Sequence, residues 1–105
     1  MITETTLDVI DVSLFDNVQP ITKYIPNFLR VNSASRLSTT AQEWTELMKA
    51  SNSGTYSSQW MIVDYNKFKE VKQSGNEVEG LFYVLEQVPG SLIIHDVTKH
   101  LFKVC

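Results

Sequence analysis

The chain has 105 residues, 43% of them hydrophobic and 20% charged, with a net charge of −3 at neutral pH. That length holds one small domain, which buries about two-thirds of the surface its unfolded chain exposes. The composition argues against disorder, the mildly acidic balance against the basic footprint of a nucleic-acid binder, and the absence of a long apolar run against a transmembrane segment.

The first residues, Met1 to Asp11, are acidic and threonine-rich. They show neither the basic nor the apolar region of a signal peptide. Within them, Glu4 to Val12 is rich in β-branched residues with a rough alternation, which predicts a half-exposed strand. A polar break follows at Asp16 and Asn17. Pro26 suits the first turn of a helix, where its missing N–H is not needed, and Phe28, Leu29 and residues 32–37 continue an amphipathic pattern. The small run Ser33-Ala34-Ser35 lets that helix approach a neighbour closely.

Thr40 with Glu43 three residues later fits a capping box. Ala41, Trp44, Leu47 and Met48 then fall on one helical face, with Trp44 as the main anchor and an end near Ser51. Gln59 to Val63 reads as a buried strand closed by Asp64-Tyr65. Lys67 to Glu79 reads as a polar, charged excursion with a turn at Ser74-Gly75-Asn76. Leu81 to Leu85 and Leu92 to Ile94 are two further apolar β-prone runs on either side of a turn at Pro89-Gly90. They predict an antiparallel hairpin. A Pro-Gly pair favours a type II turn, which fits tight hairpins poorly, so a looser connection is expected. Asp96 can cap a last short helix carrying Lys99, His100 and Lys103 toward its C-terminal end, where cations are favoured.

These elements predict an α+β fold with a largely antiparallel sheet and flanking helices. The strands are apolar at nearly every position, the pattern of a sheet covered on both faces. A chain this short can hardly cover both faces itself, a physical hint of further sequence.

Several kinds of chemistry are excluded by inspection. The chain has no GxSxG elbow, P-loop, GxGxxG or HExxH motif. Its one cysteine, Cys105, forms no internal disulfide and no Cys/His metal spacing. His95 and His100 are five apart and would point to different faces of a helix, so a metal pair is not expected. Glu77, Glu79 and Glu86 read as solvated surface rather than acid/base pairs. No Asn lies in a glycosylation sequon.

The run Asn52-Ser53-Gly54-Thr55-Tyr56 feeds directly into the strand at Gln59. A carboxamide at the mouth of a buried strand is a donor that never titrates, the kind acyl transfer needs at its oxyanion. Gly54 lets backbone approach a ligand closely. On residue types alone the same run is also a helix C-cap and turn, and both readings stand.

Asn52 to Tyr56, followed by Gln59-Trp60-Met61-Ile62-Val63-Asp64-Tyr65, resembles the signature of the phospholipase B-like family. Leu85-Glu86-Gln87-Val88-Pro89-Gly90 is similar to the family's Leu-Glu-Gln-Ile-Pro-Gly. The resemblance extends backward through Arg36-Leu37 and the Trp44 helix, and more weakly to Glu4-Thr5-Thr6, so that it covers most of the chain. It implies part of an αββα N-terminal-nucleophile hydrolase. In that family a precursor cleaves itself to free a cysteine, whose thiol attacks while its own amine acts as base. Acid amidases and bile-salt hydrolases of the wider superfamily carry a similar Asn-x-Pro-Thr-Phe run whose Asn is an oxyanion donor. That similarity puts the donor role on Asn52 and makes Gly54, Thr55 and Tyr56 pocket-shaping, substrate-binding candidates.

This chain departs from the family in having Ser57 and Ser58 where the family has two asparagines. It also lacks the upstream cysteine nucleophile, and Cys105 is no substitute for it. The resemblance therefore implies that residues 1–105 are a single partial domain, a segment of a hydrolase cleaving acyl ester or amide bonds of lipid-like substrates, inactive alone. It implies no cofactor and no metal. Its partners would be a lipid or amide substrate and the remainder of a full-length chain that includes the nucleophile-bearing segment. The expected compartment is lysosomal or extracellular. The alternative is a degenerate, non-catalytic relative serving as a lipid- or protein-binding module.

Overall fold

In the computed structural model, which describes residues 1–20, 22–50, 52, 54 and 56–104, four strands form one antiparallel sheet in the order β1-β2-β3-β4. The strands are β1 (Ile2–Thr6), β2 (Ser58–Val63), β3 (Phe82–Val88) and β4 (Ser91–Asp96). A 3-10 helix (Val12–Asn17), α1 (Asn27–Leu37) and α2 (Ala41–Met48) lie between β1 and β2, α3 (Tyr65–Ser74) between β2 and β3, and α4 (Thr98–Val104) after β4.

The register explains the core. Trp60 pairs with Leu85, and Leu85 with Ile94, so these three share a row on one face. Ile62 and Tyr83 form the next row on that face. Against it pack Ala34 of α1 and Ala41, Trp44 and Met48 of α2. The predicted anchor is central: Trp44 is 1% exposed, its ring is tilted 57° against Trp60 at 5.6 Å between centroids, and its Nε1 donates to Ser35 Oγ at 3.2 Å. The small run on α1 thus serves as expected. Ala34 is buried and Ser35 receives the indole, drawing the two helices together.

The opposite face of the sheet is not closed off. Met61, Val63, Phe82, Val84 and Val88 keep intermediate exposure, and Ile93 is 49% exposed. The expectation of a sheet covered on both faces therefore holds for one face within this chain. On the open face Gln59 and Glu86 pair across the strands, Gln59 Nε2 donating to Glu86 Oε1 at 2.7 Å.

Several local expectations need correction. The first strand runs from Ile2 to Thr6 rather than from Glu4 to Val12. Asp11 accepts the Ser13 N–H at 3.0 Å and caps the 3-10 helix, so Val12 leaves the extended conformation. The polar excursion after Lys67 is largely helical, as α3. It buries no residue, so its apolar signal is weak, but it is capped at the start by Asp64 and ended at Gly75, which has φ +71°. The α2 helix stops at Met48, short of Ser51, which lies outside the described residues, and Leu47, placed with Ala41, Trp44 and Met48, is 41% exposed while Thr45 takes the buried position. The β3–β4 connection is tight, not loose: Val88 pairs with Ser91 across Pro89-Gly90. Gly90 takes φ +77°, as the third position of a type II turn requires.

Capping decides where the helices begin. Thr40 Oγ1 accepts the Glu43 N–H at 3.1 Å, and the Glu43 carboxylate reaches back to the Thr39 N–H (2.8 Å) instead of that of Thr40. Asp64, 8% exposed at the end of β2, caps two helices at once. Its Oδ1 accepts the N–H groups of Asn66 (3.0 Å) and Lys67 (3.3 Å) in α3, and its Oδ2 accepts that of Ala41 (3.1 Å) in α2. Asp96 accepts from the Thr98 N–H (3.0 Å) and hydroxyl and from the Gly80 N–H (2.9 Å). Burial works against the Asp96 charge, but the hydrogen bonds from Thr98 and Gly80, with help from Lys99, outweigh it and hold the carboxyl below its ordinary range.

Two predictions follow from the caps. Asp64→Ala removes two caps, each worth about 1 kcal/mol, so urea denaturation should show a loss of about 2 kcal/mol or more. Asp64→Asn, which keeps an acceptor oxygen, should lose less. Asp96 has a depressed folded pKa, so its contribution is present above the unfolded value of about 3.9 and disappears as pH falls through the folded value. Denaturation midpoints measured from pH 6 to pH 2 should therefore fall less steeply for Asp96→Asn than for the parent chain.

Candidate functional site

The signature residues stand where α2 gives way to β2, beside the β3–β4 turn. Asn52 is half-buried and bonded in two directions. Its Oδ1 accepts the Gly54 N–H at 3.2 Å, a local side-chain turn that fixes the plane of the carboxamide. Its Nδ2 donates to the Val88 carbonyl at 3.3 Å, tying the turn to the end of β3. A carboxamide nitrogen carries two hydrogens, and Val88 O is its acceptor among the described residues.

Gly54 is required on two counts. Its φ is +75°, a conformation costly for residues with a Cβ. A Cβ there would also lie 3.2 Å from Pro89 Cα and 3.3 Å from Val18 Cα. The close approach at Gly54 in the structure is to Pro89 of the hairpin turn and to Val18. Gly90 is crowded from the other side, since a Cβ would meet Asn17 Cβ at 2.7 Å. The Pro89-Gly90 turn is thus clamped between the end of the 3-10 helix and the signature turn.

The structure brings Asn52 and Gly54 together. Tyr56 has other neighbours: it is 43% exposed, its hydroxyl lies 3.3 Å from Thr6 Oγ1, and its carbonyl accepts from Gln87 Nε2 at 3.3 Å. Thr55 lies outside the described residues. Ser57 and Ser58, where the family has asparagines, are both buried.

A cleft of about 370 Å³ opens beside this turn, lined by Asn17, Lys23, Lys49, Asn52, Ser91 and Leu92 among others. Two hollows elsewhere, by Ala41 and Asp64 and by Tyr83 and Asp96, do not include Asn52. Among the described residues no group of three His, Cys, Asp or Glu side chains could hold a metal ion.

Sequence reasoning missed two residues that support the turn. Gln87 is 1% exposed and donates to Asn27 Oδ1 (3.1 Å) as well as to Tyr56 O, fastening α1 to the β2 approach. Alternation with Tyr83 and Leu85 already placed it on the buried face. Arg30, buried on α1, donates from Nε to Ala50 O at 2.9 Å and from Nη2 to Met48 O. No sequence motif marks it. Its one available signal is its spacing, four residues before Ala34 and so on the same face.

A family model described as Phospholipase B matches residues 1–105. The chain belongs to the phospholipase B family. It is 42% identical over 95 residues to putative phospholipase B-like 2 of Caenorhabditis elegans, an alignment covering 90% of this chain and 16% of that relative. It is 43% identical over 99 residues to phospholipase B-like protein F of Dictyostelium discoideum, covering 94% and 17%. With putative phospholipase B-like 2 of Bos taurus the figures are 37% over 100 residues, 95% and 16%. This phospholipase B family chain therefore spans about a sixth of the length of these relatives.

The geometry of Gly54 separates two costs. Gly75 also has positive φ, +71°, but faces open space. Gly75→Ala should cost about 1 kcal/mol for the backbone conformation alone. Gly54→Ala adds the clash with Pro89 and Val18 and should cost about 2–3 kcal/mol. Chemical denaturation of the two variants side by side measures the difference.

Proposed function

We propose that this chain is a segment of a phospholipase B-like hydrolase that cleaves acyl ester or amide bonds of lipid-like substrates, with Asn52 as a donor to the oxyanion. The observation that carries this reading is the fixed carboxamide of Asn52. Its oxygen is committed to the Gly54 N–H and its nitrogen reaches Val88 O, so the plane of the amide is set before any ligand arrives. A donor held in advance costs no reorganisation when negative charge develops. The donor also borders a cleft.

In this reading the attacking group and the remaining pocket come from parts of a longer parent chain, in keeping with the share of the relatives that these residues match. The sheet with α1 and α2 on one face is then one half of an αββα N-terminal-nucleophile architecture. The open face bearing Met61, Val84 and Ile93 takes the second sheet. Gly54 supports the site by admitting the hairpin turn beside Asn52, while Tyr56 stands away from the cleft, near Thr6, and keeps a pocket-shaping role only from the resemblance. Thr55 keeps the pocket-shaping role that the resemblance gives it.

The test is Asn52→Ala in a full-length, active parent. Loss of an oxyanion donor lowers kcat by about a hundredfold or more, while KM should change little. Unchanged turnover in a folded variant would remove Asn52 from the chemistry.

A further inference from the structure

Arg30 is the most deeply buried charged side chain among the described residues, at 5% exposure. Its place on α1 is one turn after Asn27, which bonds Gln87, and four residues before Ala34 in the core. The three lie along one helical face, turned toward the sheet and α2. None of the ion pairs among the described residues involves it. A charge is costly to bury unless it is paired or well hydrogen-bonded. Here the compensation is backbone. Met48 ends α2 and Ala50 follows two residues later, where the last carbonyls of a helix lack intrahelical partners and carry partial negative charge. Nε and Nη2 of one planar guanidinium take these two carbonyls. Burial lowers the guanidinium pKa from its ordinary value, yet the group stays charged in proteins. Nη1 is buried with no acceptor among the described residues, so closing the end of α2 does not use the whole fork.

Asn52 stands two residues beyond Ala50. We infer that Arg30 is the positioning residue for Asn52: its two-pronged hold on the Met48 and Ala50 carbonyls sets the direction in which the chain leaves α2, and so places the Asn52 carboxamide between Gly54 N and Val88 O. Planarity is what the position requires. A lysine supplies the charge but, as a point donor on a flexible stem, cannot fix two carbonyls in one plane. The importance of this placement for catalysis rests on the reading of Asn52 as an oxyanion donor; the placement itself does not.

The test compares the 105-residue chain with Arg30→Lys and Val31→Ala by ¹⁵N NMR. Val31 shares α1 and packs at the edge of the core, so its variant controls for general loosening of the helix. Two signals report on Asn52: the Gly54 amide, whose acceptor is Asn52 Oδ1, and the two side-chain protons of Asn52. In Arg30→Lys the Gly54 amide should exchange about tenfold faster or more, the scale of one lost charge-assisted hydrogen bond. The two Asn52 protons should converge toward solvent-like shifts. The Leu85 amide in the core should keep its protection within about twofold, since local opening leaves global stability in place. Val31→Ala should move none of these relative to Leu85. An unchanged Gly54 amide in Arg30→Lys, or equal changes in both variants, overturns the inference.

Should Arg30→Lys fail to fold, the parent chain still decides. A slowly exchanging Arg30 Nε–H with a through-bond coupling to the Ala50 carbonyl supports the inference, and solvent-rate exchange without coupling overturns it. If the NMR coupling appears while Asn52→Ala leaves turnover intact in an active parent, the positioning stands and the oxyanion role falls.

Discussion

The carboxylate of Asp64 ties two helices to the end of β2. Its backbone N–H donates to Leu81 O at 2.8 Å, at the junction of β2 with the approach to β3. Its side chain receives the first amide of α2 and the second and third amides of α3. The exposed amides of a helix N-terminus must find acceptors, and two helices here find the same one. That sharing fixes the position of α2 over the sheet, because α2 cannot slide along β3 without leaving the Asp64 oxygen that holds Ala41. Trp44 and Met48 are aimed into the core from that fixed start, and the chain leaves Met48 toward the signature turn. The placement of Asn52 therefore begins at Asp64, at the far end of β2.

From the other end, the signature turn is closed by close approach at two glycines and by one side-chain amide. Gly54 lies against Pro89 and Val18, Gly90 against Asn17, and Asn52 bonds Val88 O. Three segments distant in sequence meet around one two-residue turn. A carboxamide held this way is both a structural tie and a candidate donor, and the two roles are compatible. The oxygen and one N–H hold the plane, and a carboxamide nitrogen has a second hydrogen to offer.

Much of this was legible in the residues. Thr40 and Glu43 marked the start of α2, the spacing of Ala41, Trp44 and Met48 marked its buried face although Leu47, read onto the same face, is 41% exposed, and Gly75 marked the turn that ends α3. The long signature carried the family. What could not be read shares a physical cause: it depended on partners far away in sequence. The α3 helix buries nothing, so its periodicity is faint, and its start is set by Asp64, which had looked like the close of a strand. Val12 leaves the extended conformation because Asp11 caps a 3-10 helix, well beyond the end of the first strand at Thr6. The tight Pro89-Gly90 hairpin is sustained by Asn17 and Gly54 packing on it, support that a local turn rule does not include. Within the site, the asparagine and glycine could be found from their types, but Arg30 is marked only by its spacing from Ala34, and spacing does not say that an arginine's partners are the carbonyls at the end of α2.

The strand β1 has a consequence for what it costs to close the sheet. All five of its residues are exposed, and its place at the sheet edge comes from pairing with β2, as in the Val63 N–H to Met1 O bond at 2.8 Å, between groups 62 positions apart. The β3–β4 hairpin closes across two residues, and β2 joins β3 across one short helix. Bringing distant chain segments together costs more entropy than a local closure, and β1 buries little apolar surface to offset it. The strands β2, β3 and β4 are therefore joined by local connections, and β1 by a long one. Of the three strand pairings, that of β1 with β2 is the one whose closure is least offset by burial.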